Sequence, residues 1–495
     1  MALSLASILA ESASRHPDRT AVLAGTEAIS YSALWEEARK YARFFIEKGV
    51  KPGDRVAILI PNCPDFPRAY YGILAAGGVV VPVHALLCAE EITYILRDSE
   101  AKMLVCHDLL SGAGRPAAEA AGIAFVPAGV PNREPIESYV PQSENDDAVI
   151  LYTSGTTGTP KGAVLSQNNL VLNATVSAFD LFKAEAGDAF LCALPLFHAF
   201  GQTCVMNLAF RVGAKVVMLP RFDGAAALDV MVKENVTVFN GVPTMYVALL
   251  DAAKKDERRP ALRFATSGGS PLPLAVLEAW EATFSTPIYE GYGLSETSPV
   301  ASFNQPEFGR RPGTVGRGIW GVNVDVACAD VEDRIDLLPP NELGEIVIRG
   351  HNVFKGYLNK PEATTAAIVD GWFRSGDLGT KDEDGFITIV DRKKDMILRG
   401  GFNVYPREVE ECLMRHPLVK QVAVFGVPHE VHGEEIHAAV VLHGENGIVA
   451  EELIVWSQGH LARYKYPRHV HFIEAMPLGP SGKILKRELR QRYTA

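Results

Sequence analysis

Cysteine is scarce and scattered. The seven, at positions 63, 88, 106, 192, 204, 328 and 412, are odd in number and nowhere spaced as C-x-x-C. That excludes an obvious zinc site or disulfide framework and suits a reducing cytoplasm. Long apolar runs are missing: none approaches the ~20 residues that cross a bilayer. The opening MALSLASILAESASRHPDR lacks a basic start and a continuous apolar centre, so it reads as a helix and not as a signal peptide. Basic charge is in deficit, with 48 Lys and Arg against 59 Asp and Glu and a net charge of −11. A general nucleic-acid binder needs a basic face, so that class is excluded, and any anionic substrate must meet local positive charge. There is no internal repeat and no low-complexity tract.

What is present is ample core material, with 47% hydrophobic and 22% charged residues over 495 positions, too long for one ordinary core. From Ser32 to Glu47 the residues Leu34, Ala38, Tyr41, Ala42 and Phe45 share one helical face, and the apolar RVAILI (Arg55–Ile60) follows. Further buried strands are predicted at VVVPV (Val79–Val83), MLVC (Met103–Cys106), AVILY (Ala148–Tyr152), KVVML (Lys215–Leu219) and VTVF (Val236–Phe239). Helix-length segments between most of them point to α/β layers with largely parallel sheets. After Gly309 short strands such as EIVIRG and FITIV, with glycine turns, form a β-rich lobe. The run DRKKD (Asp391–Asp395) precedes an α+β segment of about 100 residues. The expected fold class is α/β, with a large N-terminal domain of layered sheets plus the β-lobe over 1–391 and a small α+β C-terminal domain over 392–495.

The loop YTSGTTGTPKG (Tyr152–Gly162) carries three glycines, five small hydroxyl side chains and Lys161. Glycines let backbone N–H groups approach a ligand, hydroxyls add donors and lysine adds charge, so the loop is built to hold phosphate oxygens. It is not a Walker A sequence. The bland alternative, a polar surface turn, is outweighed by the density of these residues. In order along the chain stand FHAFG (Phe197–Gly201), SGGSPLP (Ser267–Pro273), EGYGLSET (Glu290–Thr297), SGD (Ser375–Asp377), DRKKDMILRGGFNVYPREVE (Asp391–Glu410) and PSGKILKRELR (Pro480–Arg490). Taken singly, several read as ordinary structure: a lone histidine between phenylalanines as a core residue, DRKKD as a solvated charge run, Lys483 as part of a basic tail.

Together and in this order the motifs resemble the adenylate-forming superfamily over essentially the whole chain, and most of all bacterial fatty-acid–CoA ligases. The resemblance implies an enzyme that activates a carboxylic acid with ATP as an acyl-adenylate and passes the acyl group to coenzyme A. It assigns the nucleotide to Thr153, Ser154, Gly155, Thr156, Thr157, Gly158, Gly269, Ser270, Pro271, Glu290, Gly291, Tyr292, Gly293, Ser295, Asp377 and Arg392. Tyr292 would stack on adenine, Ser295 would touch the α-phosphate, and Asp377, an acceptor-only carboxylate, would take both ribose hydroxyls. Glu296 would hold Mg²⁺, and Lys483 and Lys161 would manage the charge where a carboxylate meets the α-phosphate. His198 is carried as a binding residue, with Gly201, Val242, Gly268, Val300 and Trp320 around the acyl group. Lys394 would be the pivot of a mobile C-terminal domain, and Gly400 and Gly401 would border the pantetheine arm of CoA. An aryl or coumarate-type acid, a carrier-protein acceptor and a luciferase-like oxygenase stay open as alternatives, and so does a homodimer.

Overall fold

The apolar helix stripes of the sequence are buried against sheets and against other helices. The computed structural model describes residues 4–153, 160–444, 447–479 and 483–494. Its first long helix, Tyr31–Glu47, buries Tyr31, Leu34, Ala38, Tyr41, Ala42 and Phe45. The Ser30 hydroxyl caps it by accepting the Ala33 N–H at 3.2 Å.

Two sheets make the layered part. In the first, β1 (Asp147–Thr153) and β2 (Lys161–Ser166) are antiparallel neighbours. The order is Gly356–Tyr357, β2, β1, Val79–Pro82, Arg55–Leu59, Met103–Cys106 and Ala124–Pro127. The second holds β3 (Phe264–Ser267), β4 (Ile288–Gly293) and β5 (Val300–Phe303), and helix α1 (Leu274–Phe284) links β3 to β4. Its six central strands are parallel, as continuous apolar runs joined by helices require. The expected strands at Arg55, Val79, Met103, Ala148 and Lys215 all form, and that at Val236 begins two residues late, at Val238.

The β-rich lobe contains β6 (Trp372–Lys381) paired with β7 (Ile387–Arg392), Asp377 opposite Arg392. The chain then crosses residues 393–396 into a separate sheet of β8 (Ile397–Arg399), β9 (Phe402–Val404), β10 (Val419–His429), β11 (Gly433–Leu442) and β12 (His469–Phe472). Helix α2 (Pro406–Leu413) packs on this sheet near β7, and helix α3 (Lys486–Tyr493) follows Lys483. Among the described residues no helix is long and apolar enough to cross a membrane.

Candidate active site

The expected phosphate loop is the connection of an antiparallel pair. Thr153 at the end of β1 faces Lys161 at the start of β2. Ser154, Gly155, Thr156, Thr157 and Gly158 lie outside the described residues. The stems are tied on both sides: the Tyr152 hydroxyl donates to Asp98 Oδ2 at 2.7 Å, the Tyr94 hydroxyl to the Pro160 carbonyl at 3.0 Å, and the Leu358 N–H to the Gly162 carbonyl at 2.8 Å. Lys161 Nζ sits 5.1 Å from the centre of the Tyr357 ring, and the Tyr357 hydroxyl donates to Glu296 Oε1 at 2.9 Å. Burial, then the Glu296 charge, pushes the Tyr357 hydroxyl upward and keeps it a donor. Cation, ring and buried carboxylate thus stand in one file. Among the described residues the second Glu296 oxygen takes no hydrogen bond. A hard carboxylate so placed suits Mg²⁺, which is commonly held by one or two carboxylates and substrate phosphates.

Strand β4 brings Glu290, Gly291, Tyr292 and Gly293 past this file, and Ser295 opens the short turn that carries Glu296. A Cβ on Gly291 would meet the Phe303 ring at 2.8 Å, and one on Gly293 would collide with the Pro299 carbonyl. Both glycines are therefore demanded by the pairing with β5. Glu290 is buried, burial pushes its carboxyl up to about 7, and Oε2 accepts the Gly313 N–H at 3.0 Å. The Tyr292 hydroxyl donates to Asp377 Oδ2 at 2.6 Å, while Arg392 Nε donates to Oδ1 at 3.1 Å. A carboxylate offers about four lone-pair directions, so Asp377 keeps acceptor capacity for ligand hydroxyls.

Lys483 comes in from the small sheet. A Cβ on Gly269, whose φ is +80°, would lie 3.4 Å from Lys483 Cε and 3.6 Å from Val242 Cγ1. The lysine therefore lies over the loop between β3 and α1. Burial, then the charge of Arg392, lowers its amine, and Asp377 and Glu296 oppose that shift. Arg392, Asp377 and Glu296 are thus all within Coulombic reach of Lys483. His198 accepts the Phe200 N–H on Nδ1 at 3.3 Å, and burial, then the Lys483 charge and His84, push it down to about 3. The imidazole is neutral, and with Nδ1 accepting, its proton sits on Nε2 as a donor. Beside it a Cβ on Gly268 would touch the Phe200 ring at 3.3 Å.

Other expected residues stand elsewhere or for other reasons. Trp320 is 65% exposed, with its ring centre 6.3 Å from that of His351. Gly201 backs onto the Pro195 carbonyl, which a Cβ at this position would strike, so its missing side chain makes room for backbone and not for substrate. Val300 is buried, its N–H and carbonyl held by the Asn173 amide. Ser270 and Pro271 lie in the loop before α1, which Pro273 opens. Lys394 is exposed in the turn between β7 and β8. Gly400 and Gly401, with φ of +57° and +81°, are the two turn residues between β8 and β9, a conformation that itself calls for glycine. Tyr357, Asp98 and Tyr94 carry no motif signal. Only the partners they meet in space mark them.

The fold is that of the adenylate-forming superfamily: the crystal structure of ATP-bound MatB from Rhodopseudomonas palustris matches with a TM-score of 0.92 at 31% identity, covering 100% of this chain and 99% of that one. The profile described as AMP-binding enzyme matches residues 9–358, and that of the AMP-binding enzyme C-terminal domain matches residues 408–483. The chain belongs to this family of AMP-binding enzymes, among the acyl-CoA ligases of the superfamily. It is 35% identical to a long-chain-fatty-acid–CoA ligase of Bacillus subtilis (strain 168), over 99% of this chain and 94% of that protein. It is 38% identical to a feruloyl-CoA synthase of an Amycolatopsis species, over 96% of each.

Proposed function

We propose that this enzyme is an ATP-dependent acid–CoA ligase whose substrate is a medium- or long-chain fatty acid. The observation that carries the reading is Lys483 lying over Gly269, within reach of Asp377 and Glu296 and beside the neutral His198. An acid carboxylate and an α-phosphate repel each other, and a cation held between them stabilises the charge that builds as they meet. In the first step a carboxylate oxygen attacks the α-phosphorus and the bond to pyrophosphate breaks. Asp377 holds the ribose, Tyr292 the adenine, and Lys161 offsets charge on the leaving group. Mg²⁺, held by Glu296, would supply a Lewis-acid clamp on the phosphates. His198 Nε2–H donates to the incoming carboxylate. In the second step the thiol of CoA attacks the acyl carbon and AMP leaves. For this the residues from 392 onward turn about Lys394, withdrawing Lys483 and bringing the Gly400–Gly401 turn to the site.

The alkyl substrate is supported by the apolar surroundings of His198, namely Phe197, Phe200 and Val242, and by the Bacillus relative. An aromatic acid is the second reading, favoured by the feruloyl-CoA synthase at 38% identity. The seven free cysteines are in keeping with work in the cytoplasm. Pyrophosphate release measured across alkanoates of increasing length and across hydroxycinnamates, with and without CoA, is expected to peak on an alkanoate and to yield the thioester only with CoA. A peak on a hydroxycinnamate overturns the alkyl assignment, and no AMP from any acid overturns the ligase.

A further inference from the structure

Asp391 is the penultimate residue of β7, yet its bonds lead across the hinge. One carboxylate oxygen, Oδ1, accepts the N–H of the adjacent Arg392 at 2.8 Å. The other, Oδ2, accepts the N–H of Arg407 at 3.0 Å. Arg407 is the second residue of α2, whose first residue is a proline without an N–H and whose N-cap, Tyr405, supplies no side-chain cap. Asp391 therefore caps α2 from the other side of residues 393–396, where a carboxylate also meets the positive end of the helix. The bond is returned: the Arg407 guanidinium donates to the Ile389 carbonyl in β7, and its Nε to Glu411 Oε1 at 2.9 Å. Asp391 and Arg407 are both 8% exposed, so neither is a loose surface contact.

The same helix is tied to the catalytic segment. Glu410 Oε1 meets Lys486 Nζ at 2.7 Å and accepts the Val424 N–H at 2.7 Å. Lys486 stands three residues after Lys483. A continuous route of bonds thus runs from β7 through α2 to the segment bearing Lys483 without passing through the hinge peptide. Arg407 also lies close enough to Glu290 in β4 for its charge to act on that buried carboxyl, so the route passes beside the nucleotide strand.

We propose that Asp391 is a positioning residue that, by capping α2 across the hinge, holds the lysine-bearing part in the orientation that places Lys483 in the nucleotide site. The inference rests on the two-orientation reading proposed above. Turning about Lys394 carries α2 away from β7, so this bond must open before the second step and close again before the next first step. Its presence favours adenylation, and its loss releases the small part.

The test uses the full chain with Asp391→Ala, Asp391→Asn and, at the other end of the route, Lys486→Met. Three rates are read: acyl-AMP formation from ATP and acid without CoA, thioester formation from supplied acyl-AMP and CoA, and tryptic cleavage after Lys393 or Lys394. Asp391→Ala is expected to slow acyl-AMP formation about tenfold or more, because the competent orientation is depopulated, while thioester formation is unchanged or faster. Hinge cleavage should quicken. Asp391→Asn keeps an oxygen for the Arg407 N–H and should recover part of the loss, and Lys486→Met should shift the same balance in the same direction. Equal slowing of both half-reactions, or wild-type hinge cleavage in Asp391→Ala, overturns the proposal. If Asp391→Ala does not fold, Lys486→Met decides by the same two criteria. If the parent enzyme makes no acyl-AMP, the ligase reading fails on its own, and the cleavage rates still decide whether the latch exists.

Discussion

Lys483 has one neighbour that makes it distinctive, the bare backbone of Gly269, where a Cβ would lie 3.4 Å from its Cε. Lys483→Ala is expected to lower acyl-AMP formation by about 10²–10³-fold, the usual loss for a preorganised electrostatic contact. Thioester formation from supplied acyl-AMP should persist, and equal loss of both steps would remove Lys483 from its role. Tyr357 is a finer case. Tyr357→Phe keeps the ring under Lys161 and deletes only the hydroxyl that donates to Glu296 Oε1 at 2.9 Å. Losing a hydrogen bond to a charged group costs about 1.5–3 kcal/mol. A titration of AMP formation with Mg²⁺ should therefore show a raised Mg²⁺ requirement, and urea unfolding a loss of stability of no more than that size. Glu296, Asp377 and Lys483 are legible in the sequence because each sits in a motif. Tyr357 is not, since a tyrosine on a two-residue strand acquires meaning only when Gly356–Tyr357 pairs with β2. Trp320 shows a different limit, because a large apolar residue in sequence carries no sign of its 65% exposure.

At the scale of elements, parallel strands are legible because continuous apolar runs such as MLVC have few other solutions, whereas turns show only as glycine pairs. The Gly400–Gly401 turn illustrates what stays hidden: both residues have positive φ, so the backbone already accounts for them. Gly401→Ala is expected to destabilise the C-terminal sheet by about 1–2 kcal/mol, the cost of a left-handed Cβ, as read by urea unfolding. Strands β11 and β12 hold a less visible device. His437 Nδ1 and His471 Nε2 are 3.0 Å apart, the His469 ring lies tilted against His437 at 4.4 Å, and His471 stacks on Tyr493 of α3 at 3.8 Å. Burial, then the charges of His469 and His471, pushes His437 down to about 4, while Glu435 pulls the other way. A histidine lowered in the folded state binds fewer protons than the unfolded chain as pH falls. Stability is thus fully present above about pH 6.5 and lost progressively toward pH 4. His198, down to about 3, adds in the same direction. Urea midpoints at pH 7.5 and 4.5 should separate less in His437→Gln than in the parent.

For the whole molecule, the site is assembled from the layered sheets, the β-lobe and the small sheet at once, so a nucleotide that spans them should stabilise them together. An acyl-AMP analogue at a hundred times its Kd is expected to raise unfolding stability by about 2.7 kcal/mol, read as a shift in Tm, and Asp377→Asn should erase most of that shift. An unchanged Tm in the parent enzyme would mean that the analogue does not bridge the parts. A second tie between them, Lys420 Nζ to Asp251 Oδ2 at 2.7 Å, is about one-third exposed at each partner and should fade with added salt.

The separation of the two charged halves along the chain has a further meaning in time. Lys161 opens β2, and Lys483 follows it by more than three hundred residues. At about 5–20 residues per second, a chain under synthesis waits roughly 16–65 s between the two. Tyr292, Glu296, Asp377 and Arg392 emerge within that same interval, so the nucleotide site proposed above is incomplete until the C-terminal segment has been made, and a chain that stalls before it carries the first strands of the site without the cation.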